Sequence, residues 1–439
     1  MKYTPVIGLE VHVELKTKSK MFCGCSSDYF GQEPNTHTCP VCLGLAGALP
    51  VPNKKAIEWC MMIGLALNCD INLFSKFDRK NYFYPDLSKG YQISQYDLPF
   101  AKNGHMILSN GKKIGITRVH MEEDTGKLTH SEIKGEKVSL IDFNRSGVPL
   151  VEIVTEPDFD NPEDVKEYLQ RLQQIVRYLN VSDADMEKGN MRLEPNISLR
   201  REGQTGLPNY KVEVKNINSF SFVGKAIEFE AKRQAEILDR DETPAQETRG
   251  FVESSSSTVS QRSKEDAQDY RYFPEPDIPP LRFTKEYVDE LKKQMPELPD
   301  QKIKRFMEEY SLSEYDSQQL TREASLADYF QEAVKEGKEM KISAKQIANY
   351  IINKKPDIKN TKPSDLINNI SQSSKVSDVD EAKLNEIIEK VISDNEKAVN
   401  DYKSGKEPVI MYLVGQVMRQ FPEKIDAGKV KAVLIAKIK

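Results

Sequence analysis

Tryptophan occurs once in this chain of 439 residues, and histidine only five times. No run of about 18 consecutive apolar residues exists, which argues against a transmembrane helix. The opening stretch, MKYTPVIGLEVHVE, carries charges where a signal peptide needs an apolar run, so the protein reads as cytoplasmic with no membrane partner. Two nucleotide signatures are missing as well. There is no GxxxxGK[ST] loop and no GxGxxG after a strand, and Gly126-Lys127 lacks the following Ser or Thr. An ATP site here has to be built on a sheet face. Every Cys lies between Cys23 and Cys69 and every His between His12 and His130. Metal or acid–base chemistry that uses these side chains is thus confined to the N-terminal third, and no Ser-His-Asp or Cys-His nucleophile pattern is visible.

What remains is a globular composition, 38% hydrophobic and 30% charged, long enough for two or three domains. The net charge of −5 divides into −7 over the first 300 residues and +2 over the rest. Neither part has the basic excess that would announce nucleic acid by itself.

The first 215 residues read mainly as strands. In Ile7–Leu15 the alternation is clear: Leu9, Val11, Val13 and Leu15 face one way, and Glu10, His12 and Glu14 the other. Segments 193–199 and 211–215 repeat that period. A short apolar helix fits Ala56–Leu67. A longer one fits 161–180, where Asn161 caps, Pro162 takes the first turn, and Glu163 and Asp164 meet the positive dipole end. Another helix is expected over Phe222–Arg240. The Ser-rich stretch Glu253–Ser263 reads as a mobile loop. PEPDIPPL, with four prolines in residues 274–281, reads as a rigid domain boundary. Helical periodicity follows from about residue 284, Asn360–Val379 reads as a linker, and Pro408–Lys439 as two short helices separated near Phe421–Gly428.

Cys23-Gly-Cys25 and Cys39-Pro-Val-Cys42, 13 residues apart, have spacing that can converge on one tetrahedral zinc, with His37 as a reserve ligand. Four thiolates leave no open position, so such a zinc is structural. Two redox pairs or ordinary buried thiols are the alternatives. Cys60 and Cys69 read as core. The Glu10–His12–Glu14 face gathers acids that repel unless a cation or a proton compensates; a solvated face is the competing explanation. His120, Glu122, Glu123 and Asp124 form a second acidic cluster. Glu152 stands alone in an apolar strand, and Glu194, Asn196 and Glu213, between Lys211 and Lys215, add polar faces. If these strands share a sheet, they present a metal–nucleotide surface. Lys80 and Tyr82 share one face of an extended segment where aromatics and cations mix.

The motifs VIGLEVHVEL, PVCLGLAGALPVPN, FDRKNYFYPDLSKGYQISQYDLP, GITRVHMEED, PLVEIVTEPD and DYRYFPEPD, together with the paired cysteines, resemble in order the B subunits of bacterial-type aspartyl/glutamyl-tRNA amidotransferases. The resemblance covers about residues 3–345 and returns at NDYKSGKEPVIMYLVGQVM. It implies an α+β fold: a cradle domain, residues 1–283, whose antiparallel sheet is similar to glutamine synthetase and guanidino kinases. An all-α domain, 284–390, and a small helical tail of YqeY type, 391–439, would follow and meet tRNA. The resemblance further implies ATP-dependent phosphorylation of the side-chain carboxylate of Glu-tRNA(Gln) or Asp-tRNA(Asn), then attack by ammonia. That ammonia would come from a partner amidase (A) subunit, with a small (C) subunit completing a heterotrimer. By motif position, His12, Glu123 and Glu152 match Mg²⁺ ligands. A histidine on so hard an ion leaves water mediation or Mn²⁺ open. Glu10 matches an acid beside the metal, orienting ammonia or holding a second ion. Lys80 and Tyr82 match positions near the nucleotide or the substrate's 3′ end, and Glu194, Asn196 and Lys215 are expected nucleotide or substrate contacts. Cys23, Cys25, Cys39 and Cys42 match a zinc knob found in some members. One departure stands out: after LINNISQSSKVSD the chain runs directly towards LNEIIEKVI, so the helical domain is expected to be shortened.

Overall fold

A computed structural model describes residues 2–263, 270–374, 381–421 and 425–438. It divides into two compact units, Met1–Gln301 and Lys302–Lys439. Among the described residues no helix is long and apolar enough to cross a membrane.

The first unit is built on a nine-stranded sheet. Its strands lie side by side in the order Ser257–Ser263, Glu247–Val252, Val212–Lys215, Met191–Arg201, Tyr3–Glu14, Pro149–Thr155, Lys113–Glu123, Ala101–Ile107 and Asp70–Ile71. Neighbours pair antiparallel except Val212–Lys215 with Glu247–Val252, which run parallel. The alternation expected in Ile7–Leu15 is realised at the centre of this sheet. Leu9, Val11 and Val13 are at most 1% exposed and join the apolar core, leaving Glu10, His12 and Glu14 on the opposite face. Helices Lys54–Ala66, Pro162–Tyr178 and Phe220–Leu238 supply the rest of that core with Ile63, Leu172 and Val223. The helix starts follow the capping chemistry. Asn161 accepts from the backbone N–H of Asp164, with Pro162 at the first position, and Ser219 caps the third helix through Phe222.

Three expectations change. Glu253–Ser263 is not a loop: after one 3₁₀ turn, Ser256 takes a left-handed φ of 46°, and Ser257–Ser263 pairs antiparallel with Glu247–Val252. Edge pairing overrides serine-rich composition there, helped by the Thr258 hydroxyl donating to buried Glu230. The prolines of 274–281 do not separate the units. Phe273–Pro274 and Leu281–Arg282 are short strands laid on Asp78–Arg79 and Phe74–Ser75, a position that tolerates proline. The next helix, Lys285–Gln294, still belongs to the first unit: Leu291 enters its core and the Tyr287 hydroxyl donates to Glu58. The division falls later, after Gln301. Third, the stretch expected as a linker contains a helix, Pro363–Ser374, whose Leu366, Ile367 and Ile370 are buried; residues 375–380 lie outside the described residues.

The second unit holds two apolar clusters, one around Phe306, Phe330, Ile347 and Leu366, the other around Ile388, Leu413, Val417 and Leu434. The expected terminal pair of helices runs Val409–Arg419 and Ala427–Ile438.

Gly104 shows how tightly the sheet edge is packed. A Cβ there would lie 2.2 Å from Cys69 Sγ and 2.6 Å from the Leu67 carbonyl oxygen. Backbone cannot move aside cheaply, so Gly104→Ala is expected to cost about 2 kcal/mol, read as a lower urea midpoint at unchanged slope.

Candidate active site on the polar sheet face

Strand register, more than any local motif, assembles the site. His120, Glu152, His12 and Arg192 are direct cross-strand neighbours on four adjacent strands. One residue row further along, Glu10 stands opposite both Val154 and Glu194, and beyond it Asn196 pairs with Glu213. The sheared, twisted sheet thus gathers side chains that lie up to about two hundred residues apart in the chain.

His12 Nε2 is 3.6 Å from Glu152 Oε2, and His120 Nε2 is 3.2 Å from the same oxygen. Glu122 Oε1 lies 3.5 Å from His120 Nε2 and 3.7 Å from Lys80 Nζ. His12, Glu122 and Glu152 can each turn one ligand atom to within 4.8 Å of the others. Glu10, Glu194 and Glu213 form a second such group. Lys215 Nζ bridges Glu194 at 3.0 Å and Glu213 at 3.4 Å, and Asn196 Nδ2 donates to Glu10 Oε1 at 3.0 Å.

The electrostatics follow from crowding acids in a half-buried face. Burial, then the charges of Glu152, Glu213 and Glu194, raise the Glu10 carboxyl. Burial alone would lower His12, but its bond to Glu152 and the charges of Glu152 and Glu194 prevail and raise it to about 9. Burial opposes ionisation of Glu122 too; Lys80 and His120 outweigh it and hold Glu122 down at about 2. Two buried polar atoms here have no hydrogen-bond partner, His12 Nδ1 and Asn196 Oδ1. His12 Nδ1 stands 4.0 Å from Glu194, too far to bond. An acid-rich face with unpartnered buried polar atoms has the donor set of a divalent-cation site, oxygen ligands dominating.

One expected ligand is displaced. Glu123 does not face His12 and Glu152; it points to the other side of its strand, with Met121, and its carboxylate takes the Lys89 ammonium and the Ile93 backbone N–H. Glu122 takes the place beside His12 and Glu152 instead, steadied by the Ser94 hydroxyl at 2.7 Å and Gln92 Nε2 at 3.1 Å. The reason is strand parity: His120 and Glu122 share a face, and Glu123 cannot. Glu14 also leaves the group. It accepts from Tyr29 and Asn190, and burial followed by the charge of Asp124 pushes it up to about 8. Asp124 itself is held by Arg192 at 2.8 Å and Arg145 at 3.7 Å.

Lys80 reaches the site with its ammonium 5.2 Å above the Tyr270 ring. Tyr82 packs edge-on against Tyr270, and Tyr272 stacks on Tyr96 with centroids 4.4 Å apart. Local pattern does not single out Tyr270 and Tyr272; their period-two spacing beside the short Phe273–Pro274 strand is the signal that places both near Lys80. His120, Arg192 and Arg118, whose guanidinium lies 4.0 Å from Glu152, escape a local reading as neighbours because only strand pairing reveals them.

The four expected cysteines do come together. Cys23, Cys25, Cys39 and Cys42 place their sulfurs within 4.8 Å of one another, and Cys39 Sγ to Cys42 Sγ is 3.8 Å. A tetrahedron with bonds of about 2.3 Å has edges of about 3.8 Å, so the donors fit zinc. The fully buried Lys20 ammonium lies 3.8 Å from Cys42 Sγ and donates to the His37 carbonyl at 2.7 Å. The His37 side chain stands outside the sulfur group, and Cys60 and Cys69 are buried as expected.

Fold and site together define a mixed α/β protein with an acid-rich sheet face, four converging cysteines and a helical C-terminal unit. Residues 5–289 match the family described as the GatB/GatE catalytic domain and residues 285–438 that described as the GatB domain, and the chain belongs to this family. It is 46% identical over 470 residues to the B subunit of the aspartyl/glutamyl-tRNA(Asn/Gln) amidotransferase of Dehalococcoides mccartyi, covering 95% of each chain. The protein of the same name from Carboxydothermus hydrogenoformans is 44% identical over 482 residues, covering 100% of this chain and 99% of the relative. That from Thermosipho melanesiensis is 45% identical over 471, covering 99% and 98%. These spans exceed 439 residues, so the relatives carry segments that this chain lacks.

Proposed function

We propose that the chain is the component of a tRNA-dependent amidotransferase that activates and amidates Glu-tRNA(Gln), Asp-tRNA(Asn) or both: a carbon–nitrogen ligase using glutamine as amide donor. The observation that carries this is the convergence of His12, Glu122 and Glu152 from three adjacent strands, in a chain that belongs to the family throughout its length. The substrate's side-chain carboxylate oxygen attacks the γ-phosphorus of ATP, and ADP leaves. Ammonia nitrogen then attacks the acyl-phosphate carbonyl; inorganic phosphate leaves, the amide remains, and ammonia's surplus proton passes to a base.

His12, Glu122 and Glu152 would hold a Mg²⁺ or Mn²⁺ ion, which when bound neutralises charge on the phosphoryl oxygens. Lys80 adds a positive charge at the Glu122 side. Glu10, raised by burial and then by its acidic neighbours, is suited to accept a proton from ammonia or to share a second ion. Glu194, Asn196 and Lys215 orient polar groups of the nucleotide. The sheet is taken to work as in glutamine synthetase and guanidino kinases. The four cysteines take structural zinc. The helical unit, shortened relative to the family, contacts tRNA, and the protein acts in the cytoplasm.

The cysteines are committed to the knuckle or the core, which leaves no free thiol among the described residues for glutamine hydrolysis. Ammonia is therefore supplied by an amidase (A) subunit in a heterotrimer with a small (C) subunit. The reconstituted complex is expected to hydrolyse ATP only with misacylated tRNA present. The isolated chain is expected to show no glutaminase activity yet to use ammonium at high concentration. Amidation without ATP consumption, or glutaminase in the lone chain, would refute the assignment.

A further inference from the structure

Lys20 is a buried cation for which the acid row has no use. The residue is 0% exposed, and its ammonium meets the carbonyl oxygens of His37 at 2.7 Å and Phe143 at 3.4 Å, and Cys42 Sγ at 3.8 Å. Among the described residues no carboxylate joins them. A charge taken wholly out of water is costly unless an opposite charge meets it. Carbonyl dipoles offset part of that cost, and the sulfur offsets the rest when it is a thiolate. We propose that Lys20 is the counter-charge of the four-cysteine zinc site. Its ammonium neutralises part of the negative charge that four thiolates leave on a divalent ion, holds Cys42 in place to ligate, and so sets how tightly the metal is kept.

Three observations support it. First, Lys20 spans both cysteine pairs. Its backbone N–H donates to the Cys25 carbonyl at 2.9 Å, beside the bridge between Ser19 and Ser26. The residue is thus fixed to the first pair while its side chain ends at the second. Second, the Cys42 sulfur collects donors as an anion does. The Cys39 backbone N–H reaches it at 3.1 Å, and the ammonium adds a charge-assisted contact. Third, the neighbouring turn is shaped around the lysine stem. Gly147 has a left-handed φ of 86°, and a Cβ there would meet Cys42 Cβ at 3.4 Å and Lys20 Cδ at 3.5 Å. Phe143 and Gly147 belong to the turn that leads into Pro149–Thr155. The same ammonium therefore ties the metal site to the strand that carries Glu152. Groups that touch a metal's ligands orient them and tune affinity in this way.

This assignment rests on the four cysteines taking zinc, and the test separates the two. Lys20→Met keeps the length and removes the charge; Lys20→Gln also keeps a donor for the His37 carbonyl. In the full-length chain both are expected to surrender zinc to a chromophoric chelator on the order of ten- to a hundredfold more readily than wild type. With cobalt(II) in place of zinc, the sulfur-to-metal charge-transfer band is expected to move to longer wavelength, because sulfur holds its electrons less tightly without the cation. The metal-free protein responds in the opposite sense. There the sulfurs carry protons and the ammonium meets no anion, so metal-free Lys20→Gln is expected to have a urea midpoint no lower than metal-free wild type. A side chain that merely fills space would lower the midpoint with and without metal and leave the cobalt band in place. Unchanged zinc retention, an unmoved band, or equal falls of both midpoints overturn the role of Lys20. Failure of both variants to fold with zinc in excess overturns it too, because weakened binding is then not the defect. A wild-type chain that takes up neither zinc nor cobalt removes the metal reading itself.

Discussion

Glu122→Gln is expected to lower ATP-dependent amidation about a thousandfold, while Glu123→Gln mainly costs stability. The two residues are adjacent, equally acidic and equally buried, at 2% exposure each. Their faces decide the outcome. Glu122 shares the His12–Glu152 group and lies 3.7 Å from Lys80, so removing its charge takes a proposed ligand and a counter-charge from the proposed phosphoryl-transfer site. Glu123 is paired with the Lys89 ammonium on the core side, with side chains 3% and 7% exposed. Losing one partner of such a buried pair costs on the order of 3 kcal/mol. Folded Glu123→Gln is expected to keep turnover within about tenfold of wild type, the residual loss coming from strain passed along the strand. Unfolding midpoints and turnover per folded molecule distinguish the two variants. Equal loss of turnover in both, with stability intact, would restore Glu123 to the metal and remove the parity argument.

Zinc removal has the second large effect expected. Among the described residues no helix or strand lies between Glu14 and Lys54. Apart from Leu15, Met21 and Phe22, which enter the main core, order in that long segment rests on loop hydrogen bonds and on the four cysteines. Zinc-bound thiolates in small domains contribute on the order of 10 kcal/mol or more of apparent folding energy. Protein prepared with sufficient zinc is expected to carry one equivalent, and Cys39→Ser to lose most of it. A strong chelator is expected to make four thiols titratable while Cys60 and Cys69 stay protected in the core. Hydrogen exchange is expected to rise across the segment between the two cysteine pairs, with the nine-stranded sheet still protected. Metal-free protein whose four thiols already react, and whose exchange is unchanged by added zinc, would rule the knuckle out.

Period-two alternation places Glu10 and His12 on one face of a strand, and it does so correctly because the opposite face is packed on helices. Cysteine spacing places the knuckle for an equally local reason. Parity also separates Glu122 from Glu123; counting from His120 is sufficient. What local pattern cannot supply is pairing. Glu152 sits beside His12 and His120 only because three strands from distant parts of the chain adopt one register. The same limit explains Arg192, Tyr270 and Tyr272. Composition misleads where tertiary contact outweighs it. Serines at 257–263 form an edge strand, prolines near 274–281 ride on short strands, and the polar stretch after Lys362 is helical because Leu366, Ile367 and Ile370 have a core to enter.

The central strand precedes in the chain both of the strands that flank it. Tyr3–Glu14 finds one neighbour in Pro149–Thr155 and the other in Met191–Arg201, with Tyr3 opposite Arg201. During translation its apolar face must therefore wait, one edge unpaired until Pro149–Thr155 has been made and the other until Met191–Arg201 has. Closing loops of that size is slow, and bare strand edges invite pairing with other chains. The arrangement that brings His12 to the middle of the sheet thus makes birth on the ribosome the period in which this enzyme is most vulnerable to aggregation.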